Sequence, residues 1–155
     1  MIDLDAICDG LAHRFAAGVI ATPTGAAAMR VAYAKVPKNI AEFPAVVLEV
    51  QDGSVVANPG QWKHEANVDV LLVLPKRVGD TARNEKQRQL WLGPMLAATQ
   101  GAMKIGLGAA TGYVVDKALP TGWVWTEYAV GGDEHDAIRV HFTVYVTENV
   151  TLVPA

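Results

Sequence analysis

The sequence predicts an α+β fold, in which a mainly antiparallel sheet of about five strands is packed by two main helices. Two segments, 3–17 and 80–100, carry apolar residues at helical spacing, whereas the other apolar segments are rich in β-branched residues. The chain has 155 residues, of which 51% are hydrophobic and 19% are charged, so a single globular domain spanning residues 1–155 is expected.

Both helices are predicted from one apolar stripe and from residues that suit helix ends. The stripe of the first helix comprises Leu4, Ile7, Cys8, Leu11 and Phe15. The second helix starts from Asp80 or Thr81 as its cap, and its apolar side comprises Leu90, Trp91, Met95 and Leu96. Gly93-Pro94 is expected to kink or split this second helix.

Two strands are predicted between the helices, at residues 43–50 and 62–74, and Pro75 is expected to end the second. The residues between them, 51–60, carry Asp-Gly and Asn-Pro-Gly turn signals and are interpreted as a long hairpin loop. Val55 and Val56 lie near its tip, where apolar side chains have no intramolecular reason to be. Segment 18–42 is expected to be an extended connection with a short strand or turn.

Three further strands are predicted at residues 113–119, 123–130 and 136–150, the last two joined by a hairpin at Gly131-Gly132. The last strand alternates regularly between two faces. One face carries Ile138, Val140, Phe142, Val144 and Val146, and the other carries Arg139, His141, Thr143, Tyr145 and Thr147. We therefore expect one buried face and one face open to solvent or to a partner.

Charge and cysteine content exclude several classes of protein. The net charge of −3 and the scattered basic residues give no stripe for nucleic acid. The single cysteine, Cys8, allows no internal disulfide and is expected to be buried. The acidic start "MIDLD" is unlike a signal peptide, and no uncharged apolar run is long enough to cross a bilayer, so a cytosolic protein without membrane contact is expected.

Two polar clusters, "QWKHEANVDVLLVL" at 61–74 and "DEHDAIRVH" at 133–141, suggest a metal or acid–base site at first sight. Alternation along a strand separates His64 from Glu65 and Asp69, and roughly 13 Å of strand separates the two carboxylates. We therefore predict no metal site, no cofactor and no catalytic residues. If the two long strands are neighbours, Glu65 or Asp69 is expected to pair with Arg139 or His141.

Other motifs also favour structural interpretations. "GLGAATG" at 106–112 precedes a strand instead of opening a helix, so a flexible loop is favoured over a phosphate-binding loop. Ser54 has no nucleophile-elbow motif around it. Trp91 is expected in the core, whereas Trp62, Trp123 and Trp125 near strand ends are candidates for either core or interface.

Four segments carry a resemblance to a known family. They are the helix "DLDAICDGLAHRF", the strand-loop-strand "VVLEVQDGSVVANPGQWKHEANVDVLLVL", the helix "NEKQRQLWLGPMLAAT", and the closing "LPTGWVWTEYAV" with "AIRVHFTVYVTENV". Over nearly its full length the chain resembles the tail terminators and related neck proteins of long, non-contractile-tailed phages, particularly those infecting actinobacteria. The match lies in the order of the predicted elements and in their general residue pattern, and it includes no catalytic motif.

The resemblance implies a non-enzymatic structural protein of the virion neck, made in the host cytoplasm. It implies a hexameric ring that caps the tail tube, ends tail elongation and meets the head–tail connector, while DNA passes through the lumen without specific binding. The implied partners are further copies of the chain, the tail tube protein and the connector protein. The residues expected at subunit or tube contacts are Val55, Val56, Trp62, Trp123 and Trp125.

Two alternatives stay open from sequence. Within the same class, the chain could be another neck protein, such as a head–tail connector or tail completion factor. From a different class, it could be a small α+β enzyme or ligand-binding module that uses His64, His135 or His141. The alternation argument disfavours this second alternative, because the polar residues do not converge.

Overall fold

The computed structural model describes residues 2–16, 22–26, 28–77, 79–98 and 112–150. Its elements in chain order are α1 (Leu4–Phe15), β1 (Val31–Tyr33), β2 (Ala45–Asn58), β3 (Gln61–Lys76), α2 (Thr81–Ala97), β4 (Tyr113–Val130) and β5 (Asp133–Asn149). Two helices and one five-stranded sheet confirm the predicted α+β class. Within these ranges, neither helix has the length and apolar character needed to cross a membrane.

The sheet has the strand order β1-β2-β3-β5-β4. The short strand β1 runs parallel to β2 through three residue pairs, and every other neighbouring pair is antiparallel. The two hairpins β2–β3 and β4–β5 are therefore joined in the middle of the sheet by the pairing of β3 with β5. As a result, β4 forms one edge of the sheet, and β2 forms the other edge wherever β1 does not cover it.

Both helices pack on one face of the sheet, which we call the helix face. The main core joins Ile7, Leu11 and Phe15 of α1 and Trp91 and Met95 of α2 to apolar side chains of β2, β3, β4 and β5. On the opposite face, a smaller core forms around Ile40, Ala45, Val47, Leu71 and Val73. On the central strands β3 and β5 the rest of that opposite face is polar, and it carries the side chains discussed below.

Both predicted helices are confirmed in position, and Asp80 is confirmed as the cap of the second. The side chain of Asp3 accepts a hydrogen bond from the backbone N–H of Ala6, and that of Asp80 accepts one from the N–H of Arg83, so each satisfies a donor of the first helical turn. Of the kink or split expected at Gly93-Pro94, the split is wrong, because α2 continues through Pro94 to Ala97, and the kink stays a prediction.

The predicted loop at 51–60 is wrong. Strand β2 continues to Asn58, which pairs with Gln61, so the turn consists of Pro59 and Gly60 alone. Asp-Gly, which resembles a turn signal, falls instead at a register shift between Val50 and Asp52 inside the strand. Val55 and Val56 are exposed as predicted, but they lie on an edge strand and not on a loop tip.

The end of the next strand and the division of the closing strands also differ from prediction. Strand β3 passes Pro75 and ends at Lys76, with an irregularity in its pairing to β5 after Val73. Residues 113–119 and 123–130 belong to one strand, β4, which bends through two register shifts instead of breaking. An edge strand tolerates Pro120 because only one of its sides pairs with a neighbouring strand.

The hairpin predicted at Gly131-Gly132 is confirmed. The two glycines have φ angles of 60° and 82°, and they connect Val130 directly to its partner Asp133. Two successive positive φ angles are what a two-residue turn between twisted strands requires, and glycine adopts them without strain. The short strand expected within 18–42 is present as β1. The loop predicted at 106–112 lies outside the described residues, apart from Gly112.

Candidate functional site

The first polar cluster is divided between the two faces of the sheet, as strand alternation predicts. His64 lies on the helix face, and its Nε2 is 3.0 Å from Oε1 of Glu148 on the neighbouring strand β5. Asp69 lies on the opposite face. Within the described ranges, no three His, Cys, Asp or Glu side chains are grouped closely enough to hold a metal ion.

Asp69 is the centre of an ionic network on the opposite face. Its carboxylate is 5% exposed, and it accepts a hydrogen bond from Nη1 of Arg139 at 2.7 Å and lies 2.6 Å from Nδ1 of His141. Nη1 of Arg139 also donates to Oε2 of Glu49 at 2.9 Å. The predicted pairing of Asp69 with Arg139 or His141 is therefore confirmed with both residues.

The network is built by the register of three adjacent strands. Asp69 of β3 is paired with Glu49 of β2 on one side and with His141 of β5 on the other. Burial would lower the pKa of Arg139, but its hydrogen bonds to Asp69 and Glu49 outweigh this effect and raise the pKa above its ordinary value. The guanidinium therefore stays charged, and the network joins β2, β3 and β5 electrostatically.

The second polar cluster is more buried than the sequence suggests. His135 is 3% exposed; its ring stacks on Phe43 with centroids 4.1 Å apart, and its Nδ1 lies 2.8 Å from the backbone oxygen of Leu74. Asp136 is 5% exposed and accepts a hydrogen bond from Nη2 of Arg77 at 2.9 Å. Both side chains have structural partners, and neither is directed at His64 or Asp69.

The sequence-predicted interface residues are placed on three strands. Val55 and Val56 of β2 are 50% and 62% exposed, and Trp62 at the start of β3 is 36% exposed. Trp123 of β4 is 44% exposed, and its ring meets that of Trp125 edge-on, with centroids 5.3 Å apart. Trp125 instead packs against the main core, below the guanidinium of Arg88 at 5.5 Å from its ring centroid.

Exposed large apolar side chains concentrate on the two strands that form the sheet edges. Among the described residues there are eight such side chains, and six of them lie on β2 or β4. They are Val50, Val55 and Val56 on β2, and Val114, Trp123 and Val124 on β4. Sequence reasoning missed Val50, Val114 and Val124, because nothing in their local pattern tells which strands become edges.

An apolar groove adjoins the β2 edge on the helix face. It has a volume of about 400 Å³ and is lined by the start of α1 and by the middle of the β2–β3 hairpin. Its lining includes Ile2, Leu4, Val50 and Val55, with His64 at its floor. Val50 and Val55 therefore border a larger apolar surface and are not isolated side chains.

The chain was compared with protein-family models and with curated proteins. No family model matches it, and no curated protein matches it at a significant level.

Proposed function

We propose that this protein is a structural ring subunit of the neck of a long-tailed phage, where it caps the tail tube. The observation that carries the proposal is the concentration of exposed apolar side chains on β2 and β4. Strand β4 forms one edge of the sheet, and β2 forms the other beyond its pairing with β1, so each subunit offers two different contact surfaces. Two different surfaces on one subunit are what a head-to-tail ring needs.

The contacts of the histidines within the chain support an assembly role over a catalytic role. His64 is paired with Glu148, and His141 with Asp69, while His135 is stacked on Phe43. A general base needs a reachable substrate proton and a group that orients it. The three histidines lie in three separate environments, so they do not form one constellation.

The tail-capping role rests on the resemblance in the sequence to tail terminators. In this role the ring ends tail elongation and meets the head–tail connector, and DNA passes through its lumen. The net charge of −3 fits a channel that does not hold DNA. The proposed partners are the tail tube protein and the connector protein, and the site of action is the virion neck.

The capping role is tested by adding the purified protein to growing tubes of the tail tube protein from the same phage. We expect shorter tubes, each with one added layer at a single end in negative-stain images. As a control, serum albumin at the same concentration should leave the length distribution unchanged. Tubes that keep growing to their uncapped length would contradict the capping role, even if the protein itself forms rings.

Replacement of the paired histidines separates an assembly protein from an enzyme. The variants His64→Ala and His141→Ala should both keep the oligomeric mass of the wild type, because each histidine is paired with a carboxylate of its own chain. Each should lose about 0.5–1.5 kcal/mol of unfolding free energy, the usual net value of a hydrogen bond. Mass photometry and urea unfolding measure the two quantities. Dissociation of both variants to monomers would argue against the assignment.

A further inference from the structure

The two edges of the sheet leave backbone groups unpaired. Among the described residues, β1 pairs only with Ala45–Val47, so β2 has an open outer side from Leu48 to Asn58. The last strand in the sheet order, β4, pairs only with β5 within these ranges. Unpaired N–H and C=O groups on an edge strand are a template for a further strand.

Proteins commonly block such edges with proline, charge and bulges, and here the blocking is incomplete. The first half of β4 contains Pro120 and two register shifts, but its pairing is regular from Gly122 to Val130. Strand β2 has one shift after Val50, and its pairing is then regular from Asp52 to Asn58. The exposed Val55 and Val56, and likewise Trp123 and Val124, lie within these regular stretches.

The exposed side chains of the two edges fall on matching faces. Val55 and Trp123 both lie on the helix face, since their cross-strand partners His64 and Val140 do. Val56 lies on the opposite face, paired with Lys63, and the exposed Val114 and Val124 of β4 share that face. Adding β2 of one copy beside β4 of another would place apolar side chains together on both faces.

The directions of the strands also fit this arrangement. Three successive antiparallel pairings make β2 and β4 antiparallel to each other within one sheet. Rotation of a copy about an axis along the strands preserves these directions, so β2 of one copy meets β4 of the next in antiparallel orientation. Antiparallel pairing gives the more favourable hydrogen-bond geometry.

The two edge strands carry different sets of charged residues. Between Ala45 and Asn58, β2 carries Glu49 and Asp52 and no basic residue. Strand β4 carries Asp116, Lys117 and Glu127; the Nζ of Lys117 lies over the ring of Tyr145, and Arg88 of α2 lies over the ring of Trp125. A second copy of β2 would bring only like charges against this acidic strand, whereas β4 offers Lys117 as an opposite charge, so the β2 edge suits β4 better than it suits itself.

We propose that subunits assemble head to tail by adding the β2 edge of one copy to the β4 edge of the next, which makes one continuous sheet around the ring. This inference rests on the proposed ring and specifies how it closes. The helices of every subunit then lie on one side of the continuous sheet, and the polar face with the Asp69 network lies on the other. Each edge strand thus pairs with an edge strand of another copy of this chain.

Cysteine cross-linking tests which strands meet. The native Cys8 is buried, and burial with the nearby Asp5 and Asp9 raises its pKa to about 11, so it should not react. Two double variants, Val56→Cys with Val114→Cys and Val56→Cys with Val124→Cys, sample both halves of the β4 edge. A bismaleimide should cross-link at least one of the two variants into a ladder of multimers. Each subunit then has one cysteine on β2 and one on β4, so it can be linked to a neighbour on each side.

Controls make each outcome of the cross-linking decisive. Neither Val56→Cys alone nor Val56→Cys combined with Lys86→Cys on the exposed side of α2 should form a ladder. Dimers from Val56→Cys alone would show that β2 meets β2, which overturns the inference. If neither double variant forms a ladder although the wild type has the mass of a ring, the edge pairing is overturned. The proposal that the protein forms a ring would still stand. A monomeric wild type overturns both.

A single charge on the β2 edge gives a second test. The variant Val56→Lys should raise the concentration at which rings dissociate by about tenfold or more, because a lysine on an edge strand opposes strand addition. Its melting temperature as a monomer should stay unchanged, since Val56 is 62% exposed. The matched control is Val36→Lys, at a residue 52% exposed that lies on neither edge strand. Equal ring stability of the two variants would contradict the inference.

Discussion

The variant Trp91→Ala is expected to lose about 3–5 kcal/mol of unfolding free energy, the usual cost of deleting a buried aromatic side chain. Trp91 has no exposed surface and is among the largest side chains of the main core, where it holds α2 against the sheet. Among the described residues its indole Nε1 has no hydrogen-bond partner. The variant Trp91→Phe should therefore lose much less, because it removes an unsatisfied donor along with part of the ring.

Urea unfolding followed by circular dichroism measures these losses. The control is Trp62→Ala, which removes the same side chain from a site that is 36% exposed and outside the core. We expect Trp62→Ala to lose less than about 1.5 kcal/mol. Similar losses for Trp91→Ala and Trp62→Ala would contradict the packing of α2 described above.

The second large effect is expected for Asp69→Ala, with a loss of about 2–4 kcal/mol. Removing one partner of a buried ion pair leaves the other charge uncompensated, which typically costs 3–5 kcal/mol. Here Arg139 keeps its hydrogen bond to Glu49, and its side chain is 26% exposed, so a loss about 1 kcal/mol smaller than usual is expected. His141 would lose its only described carboxylate contact.

The matched control for Asp69→Ala is Glu65→Ala, an exposed carboxylate on the same strand and the same face of the sheet. It should change the unfolding free energy by less than about 0.5 kcal/mol. Thermal or urea unfolding of both variants makes the comparison. If the two losses are equal, the Asp69 network does not stabilise the fold as its geometry implies.

Local sequence patterns were sufficient to predict the two helices and much of the sheet. Of the two predicted caps of the second helix, Asp80 and Thr81, the structure has Asp80, and such a cap can be predicted because capping depends on residues three positions apart. The alternation of β5 predicts its buried face, because side chains on a strand alternate strictly. The same rule separates His64 from Asp69, and pairing of the two long strands then brings Asp69 to Arg139.

Other features depend on contacts that no local pattern contains. Pro75 and Pro120 are strand breakers by propensity, yet register shifts in the sheet accommodate both. The Asp-Gly pair at 52–53 is a turn signal by composition, but pairing with β3 keeps it extended. The contact of His64 with Glu148 joins residues 84 positions apart, and it exists only because β3 neighbours β5.

Some of the exposed apolar residues on the edge strands can be predicted from the sequence, and others cannot. Val55 and Val56 stand out in sequence because apolar residues are unusual beside turn signals. Val114 and Val124 do not stand out, since valine is common in strands. Their exposure follows from the position of β4 at the sheet edge, which is a property of the strand order. Whether these residues form subunit contacts is a prediction.

The oligomeric mass of the purified protein tests the central claim most directly. Native mass spectrometry of the full chain, combined with negative-stain images, gives the number of subunits and the shape of the assembly. The head-to-tail ring predicts roughly six copies of the 16.5 kDa subunit around a central hole. A monomer or dimer that binds zinc tightly in a metal assay would contradict the claim and favour a ligand-binding or catalytic module instead.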